Sequence, residues 1–116
     1  MKKEYEIPLS FSSIRISAVP VGEDLALTVS GGSRPHIGCV VLSEPRTSLS
    51  GSGSVSCTSS VISRTGHKDE QICRCLSEKA CTAFNKVVVC TGGFHMDRLT
   101  AEQLSEIVRA VECFKF

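Results

Sequence analysis

Three histidines that lie beside glycines are the residues of this chain whose types and spacing first suggest chemistry. They occur in the segments Pro35-His36-Ile37-Gly38, Gly66-His67-Lys68-Asp69 and Gly93-Phe94-His95-Met96-Asp97. Glycine-containing turns at the ends of strands and helices often carry binding residues, because a rigid scaffold holds them in place there. Taken singly, each histidine could equally be a surface or capping residue. Taken together, they predict a site for a small molecule or an anion.

Glycines and cationic side chains accompany the histidines. Gly31 and Gly32 follow a predicted strand and would let the backbone approach a ligand closely, while Arg34 offers a fork of donors suited to phosphate or carboxylate. Lys68 lies at the start of a predicted helix, where free N–H groups and the helix dipole favour an anion. A tight turn and an ordinary capped helix would explain the same residues without any ligand.

A metal site is a second, less favoured interpretation of the same residues. Imidazole and carboxylate groups suit zinc, iron or manganese, so the histidines could combine with Asp69 and Asp97. Their spacing matches no local metal motif, and the fold would have to assemble them. Cys73 and Cys75 lie two apart on a predicted helix and should point to different faces, which argues against a shared metal. Most cysteines are expected to be small core residues.

Length, charge and cysteine content restrict the class of protein. A chain of 116 residues with a net charge of +1 is expected to form one domain over residues 1–116 and to attract neither nucleic acid nor an anionic membrane. It contains no apolar run long enough for a signal peptide or a membrane span, and its seven cysteines form no Cys-x-x-Cys pair. We therefore expect a cytoplasmic protein with reduced thiols.

Strands are predicted in the first half of the chain, where short runs of β-branched residues alternate with turn formers. The predicted strands are Tyr5–Leu9, Ile14–Val19, Leu25–Val29, Ile37–Leu42 and Val55–Ile62. Between the last two, the Ser/Gly-rich segment Ser43–Ser54 is predicted to be a loop, either a mobile flap or the tip of a hairpin.

Helices are predicted in the second half. Apolar residues recur at helical spacing through His67–Phe84, a buried strand is expected at Lys86–Cys90, and Thr100 with Gln103 forms a capping box for a helix from Ala101 to about Cys113. The predicted buried stripe of this last helix comprises Leu104, Ile107, Val108, Val111 and Phe114. The sequence thus predicts an α+β fold, a mainly antiparallel sheet of about six strands with two helices packed on it.

Four short segments, taken in order, make the chain resemble the LpdD-like family of prenylated flavin chaperones, whose members have long been labelled as components of gallate decarboxylases. The resemblance runs from about Gly22 to Val108. Phe94 and Cys39 depart from the expected pattern, which has an aliphatic and a small residue at these positions. The segments are Gly22-Glu23-Asp24-Leu25, Gly31-Gly32-Ser33-Arg34-Pro35-His36-Ile37-Gly38, Gly66-His67-Lys68-Asp69 and Gly93-Phe94-His95-Met96-Asp97.

The resemblance implies a protein that binds prenylated FMN or FMN, protects the oxygen-sensitive reduced form and delivers it to a separate UbiD-type decarboxylase. It also implies cofactor-binding roles for particular residues: His36, His67, Lys68, His95 and Asp97 would line the site, and Gly31, Gly32 and Gly38 would shape its backbone. Arg34 joins them because of its donors. A chain of this length can enclose a flavin only partly, so a homodimer is expected.

Two alternatives stay open at this point. One is a small metalloenzyme that uses His36, His67 and His95 as ligands and keeps an open position for water. The other is an accessory subunit of a hydroxyarene (gallate-type) decarboxylase, without its own cofactor, that docks through the Phe94 turn and the Ser/Gly loop. The chain carries no nucleophile elbow, Walker loop or dinucleotide fingerprint, so no catalytic residue is assigned.

Overall fold

The computed structural model describes residues 1–64 and 67–116, and the side chain of His67 is outside this description. Within these residues, six strands and two helices follow one another. They are β1 (Lys3–Pro8), β2 (Ser13–Val21), β3 (Asp24–Gly32), β4 (Cys39–Thr47), β5 (Val55–Ser63), α1 (His67–Phe84), β6 (Val88–His95) and α2 (Ala101–Cys113).

All six strands form one sheet in the order β1-β2-β3-β6-β4-β5. Every neighbouring pair is antiparallel except β3 and β6, which are parallel. The sheet is therefore mainly antiparallel and carries two helices, which confirms the predicted α+β fold class. Because β5 and β6 run in the same direction with β4 between them, their connection must be a crossover, and α1 supplies it.

This crossover brings distant segments to one end of the sheet. Strands β3, β5 and β6 end there, β4 begins there, and α1 starts there before it crosses the sheet. We call this end the strand-end edge. The turn at Gly22 lies at the opposite end of β3, roughly 25 Å away. The Gly22–Leu25 segment is therefore not part of any site at the strand-end edge.

The core lies between the sheet and its helices. Alternate strand residues such as Ile14 and Ile16 point inwards, and α1 buries the predicted face that contains Ile72 and Leu76. Four of the seven cysteines are fully buried, as expected for small core residues. Leu104 was expected on the buried stripe of α2 but is 37% exposed, and the main contacts of α2 are with α1 and the edge strand β1.

All six strands of the described residues are longer than predicted, and the differences in β3, β4 and β6 bear on the site. β3 continues through Gly31–Gly32 and β6 through His95, so the predicted glycine turns are strand ends. β4 starts at Cys39 rather than at Ile37 and continues to Thr47. It passes through Pro45 because β4 pairs with β6 only as far as Ser43, and a proline without an N–H is tolerated where one side of a strand is free.

Of the predicted loop Ser43–Ser54, residues 43–47 belong to β4, and the rest forms the tip of the β4–β5 hairpin, where the Ser48 N–H bonds to the Ser54 carbonyl oxygen. This tip lies at the end of the sheet opposite the strand-end edge. Within the described residues, neither helix is long and apolar enough to cross a membrane.

Candidate functional site

A buried carboxylate, Asp69, lies at the centre of the strand-end edge. It is in the first turn of α1, and its side chain is only 4% exposed. Its Oδ1 accepts the N–H of Phe94 at 3.0 Å, and its Oδ2 lies 2.9 Å from Nε2 of His36. Burying a carboxylate is costly unless it is paired and hydrogen-bonded, and these two donors compensate it. Asp69 and His36 are called the inner pair below.

Two glycines make room for the inner pair. A Cβ atom at Gly38 would lie well under 3.0 Å from Oδ2 of Asp69, and one at Gly93 would lie 2.9 Å from its Cγ. The Gly38 N–H also donates to the carbonyl oxygen of Gly92 at 2.8 Å, which ties the start of β4 to β6. The chain therefore needs glycine at residues 38 and 93 because the carboxylate occupies the space of their side chains.

The first turn of α1 holds both polar backbone groups of Phe94. Asp69 accepts its N–H, and Nζ of Lys68 donates to its carbonyl oxygen. The same ammonium lies 5.4 Å from the centroid of the Phe94 ring, within the range of a cation–π contact. The ring itself is fully buried and packs edge-on against Phe11. The Phe94 ring is therefore not available for docking to another protein, while docking through the rest of this turn stays a prediction.

A second, exposed group of side chains lies next to the inner pair. Arg34 Nη2 is 2.8 Å from Asp97 Oδ1, and Nε2 of His95 lies 3.2 Å from that same oxygen and 3.2 Å from Arg34 Nη2. The hydrogen bond from His95 and the charge of Arg34 lower the pKa of Asp97 below its usual value. We call Arg34, His95 and Asp97 the outer cluster.

His36 joins the two groups. Its ring meets that of His95 edge to face, with the centroids 5.7 Å apart. Asp69 engages Nε2 of His36, so Nδ1 is the ring nitrogen left for another partner, and its role as donor or acceptor depends on the tautomer and protonation of the ring. This Nδ1 is buried and has no hydrogen-bond partner among the described residues. A polar group of a ligand that reached Nδ1 would satisfy this nitrogen.

The cavity nearest the strand-end edge lies on the surface of β2 and β3. It has a volume of about 280 Å³ and is bordered by Gly31, Gly32, Pro35 and side chains of β2 and β3. A groove of about 300 Å³ between α1 and α2 contains none of the predicted site residues. The chemistry of the strand-end edge, and not cavity size, therefore marks the candidate site.

Comparison with models of protein families assigns the chain to one family. Residues 10–114 match the family described as the prenylated flavin chaperone LpdD-like domain. The chain belongs to this family. No curated protein matches the LpdD-like domain described here. A solved structure described as "Crystal Structure of a Novel Chaperone Complex for Yeast 20S Proteasome Assembly" is similar at 17% identity, covering 94% of this chain and 84% of that one, with a TM-score of 0.48.

Most of the predicted site residues of the LpdD-like domain come together at the strand-end edge. Gly31 and Gly32 lie in β3 opposite Phe94 and His95, and a Cβ at Gly32 would meet the His95 backbone. The side chain of His67 is outside the described residues. The residues gathered at the edge are Gly31, Gly32, Arg34, His36, Gly38, Lys68, His95 and Asp97.

Sequence reasoning did not include Asp69 and Gly93 among the cofactor-binding residues of this LpdD-like domain. Asp69 was considered as a metal ligand beside the histidines, and Gly93 as part of a glycine-containing turn. The only signal in the sequence was their place within the family segments, since burial of a carboxylate leaves no periodic pattern.

The described part of this LpdD-like domain gives no support for a metal ion bound jointly by histidine and carboxylate side chains. Among the described residues, no three His, Cys, Asp or Glu side chains converge in a way that could hold a metal ion. Nε2 of His36, moreover, is engaged by Asp69. The three-histidine metal site includes His67 and stays a prediction.

Proposed function

We propose that this protein binds prenylated FMN or FMN at the strand-end edge, shields the reduced form and delivers it to a UbiD-type decarboxylase. The observation that carries the proposal is the assembly at one edge of three segments that are distant in sequence, in a chain of the prenylated flavin chaperone family. On this proposal the protein is a cofactor carrier located in the cytoplasm, and the partner performs the decarboxylation with the prenylated ring.

The donors and acceptors at this edge suit such a ligand. A flavin ring presents both N–H and carbonyl groups, so it can pair with Nδ1 of His36 in either role of that nitrogen and accept from the guanidinium of Arg34. Lys68 retains further ammonium hydrogens beyond the one that bonds to Phe94, and we include His67 as a further contact.

The openness of the outer cluster suits delivery. A carrier must release its ligand to the partner, and ligand contacts to exposed, solvent-screened side chains are weaker than contacts to buried ones. The inner pair would then orient the ring while the outer cluster opens towards the acceptor protein.

A homodimer would complete the enclosure. The adjoining cavity of about 280 Å³ is small for a cofactor, since sites that enclose such ligands span roughly 300–1,000 Å³. We therefore propose that a second copy supplies the opposite wall. Light scattering coupled to gel filtration should give about twice the 12.5 kDa mass of the chain when the ligand is bound. A monomeric mass with flavin bound would reject the dimer.

An anaerobic titration tests the central proposal. Purified protein is titrated with FMN and with reduced prenylated FMN, and the loaded protein is then mixed with an apo decarboxylase whose activity is followed. Arg34→Gln and His67→Ala should weaken binding. Arg46→Gln is the matched control for arginine, because Arg46 is also exposed but bonds to Thr58 in the β4–β5 hairpin.

Binding with restored decarboxylase activity would support the carrier. If neither flavin binds, the proposal is rejected, and elemental analysis would then test the metal alternative. If the protein copurifies with a decarboxylase but holds no flavin, the role of accessory subunit would replace that of carrier.

A further inference from the structure

We infer that the cavity on β2 and β3 binds a phosphate monoester, through Arg15 and the hydroxyl groups of Ser12, Ser13 and Ser30. That the ligand is a flavin rests on the proposed function. If the ligand is FMN, its phosphate would lie in this cavity, outside the inner pair and the outer cluster. The chemistry that would be recognised is a dianionic phosphate, whether of a flavin or free in solution.

The strand register brings the proposed ligands together. Arg15 pairs with Ser30, and the next pair along the two strands is Ile14 with Gly31. Because Ile14 and Ile16 are fully buried in the core, Arg15 between them points to the opposite face of the sheet. Arg15 and Ser30 therefore lie side by side on that face, and together with Ser12 and Ser13 they border the cavity.

The hydrogen-bond donors that border this cavity are free to bind a ligand, as far as the described residues show. Within the described residues, the hydroxyls of Ser12, Ser13 and Ser30 take no part in a side-chain hydrogen bond, whereas those of the Ser48–Ser54 loop bond to one another. The one ion pair of Arg15 among the same residues joins its Nε to Oε1 of Glu6 at 3.5 Å. Its side chain is 75% exposed, which leaves the terminal nitrogens accessible.

Two features of this group match a phosphate. The arginine fork supplies paired, charge-assisted donors, and the serine hydroxyls add neutral ones. Glu6 opposes binding, because its carboxylate competes for Arg15 and repels an anion.

The cavity and the strand-end edge share one stretch of chain. Pro35 borders the cavity, while Arg34 and His36 on either side of it belong to the outer cluster and the inner pair. Gly32, which also borders the cavity, pairs with His95 in the sheet. A ligand with a phosphate at one end and a ring at the other could therefore contact both places at once.

Two probes test the inference. Inorganic phosphate is titrated into the protein and followed by phosphorus NMR, and FMN is compared with riboflavin, which lacks the phosphate, by fluorescence. The parent should bind FMN more tightly than riboflavin. Arg15→Gln should weaken FMN and phosphate binding about tenfold and leave riboflavin binding unchanged, because it removes one charge-assisted contact. Glu6→Gln should tighten both, and Arg46→Gln, the matched control, should change neither.

The outcomes separate the two proposals. If FMN binds and Arg15→Gln leaves the preference over riboflavin unchanged, the phosphate site is wrong and the flavin carrier stands. If phosphate binds in an Arg15-dependent way and neither flavin binds, the phosphate site stands and the proposed function falls. Binding of none of the probes overturns both. Circular dichroism of Arg15→Gln should match the parent, because the side chain is exposed.

Discussion

The inner pair and the outer cluster lie side by side at the strand-end edge, yet they are held by different forces. Asp69 is buried, faces two glycines and accepts a backbone N–H, so its geometry is part of the packing of α1 on β6. Asp97 is 68% exposed and, within the described part of the chain, pairs with Arg34 and His95. The buried group is part of the scaffold, whereas the exposed group can exchange its partners for a ligand at little cost in stability.

The largest effect should follow from filling the space beside the inner pair. Gly38→Ala places a methyl group against the Asp69 carboxylate, so we expect a loss of about 3 kcal/mol in the free energy of unfolding, as for overpacked cores. Urea denaturation measures it. Gly53→Ala is the control, because a Cβ there meets no atom within 4 Å and the change costs only the positive φ of 76°. Equal losses for both variants would show that Gly38 is not packed as described.

A smaller loss should follow from removing the buried carboxylate. Asp69→Ala leaves the Phe94 N–H and Nε2 of His36 without their acceptor, and we expect a loss of about 2 kcal/mol in unfolding free energy. Asp97→Ala in the outer cluster is the matched control and should lower the unfolding free energy much less, because its contacts are exposed. If the two variants were equally destabilised, the distinction between scaffold and exchangeable cluster would fail.

The reactivity of the cysteine thiols extends the comparison between buried and exposed side chains to the rest of the domain. Burial raises the pKa of Cys39 to about 12 and that of Cys81 to about 11. Both should resist an alkylating reagent at pH 8, while the exposed Cys113 reacts, as mass spectrometry of native protein would show. Labelling of Cys39 as fast as Cys113 would contradict its burial.

The raised pKa values also predict a loss of stability in alkali. Below about pH 9, the ordinary value for a thiol, Cys39 is protonated in both the folded and the unfolded state, so its contribution is complete. Between pH 9 and about 12 the unfolded chain loses the proton while the folded one keeps it, so stability falls as pH rises. Cys39→Ala should flatten this part of the profile. An unchanged slope would show that the thiol does not contribute.

The smallest effect concerns the titration of the Asp97 carboxylate in the outer cluster at low pH. The bond from His95 and the charge of Arg34 lower the pKa of Asp97, so its carboxylate should titrate below 3.8 in an NMR experiment. The stabilising contribution of the cluster is present above that value and is lost as pH falls through the lowered pKa. Arg34→Gln should move the midpoint back towards 3.8. A midpoint that does not move would show that Arg34 and Asp97 are not paired in solution.

The local elements were largely predictable, because helical and strand periodicity is a property of neighbouring residues. Helix α1 has the predicted bounds, and Thr100 and Gln103 form the predicted capping box. The strand ends were less predictable. Glycines at 31, 32, 92 and 93 indicated turns, but in the sheet they mark places where another backbone or a carboxylate comes close.

The sequence by itself determined the fold class, the residue types available for binding and, through its ordered segments, the resemblance to the family. Only the tertiary structure decided which of those residues meet. It placed β6 between β3 and β4, buried Asp69 against His36 and left Arg34, His95 and Asp97 in solvent. The physical reason is that burial and pairing depend on contacts between residues far apart in the chain, and local patterns of hydrophobicity carry no record of those contacts.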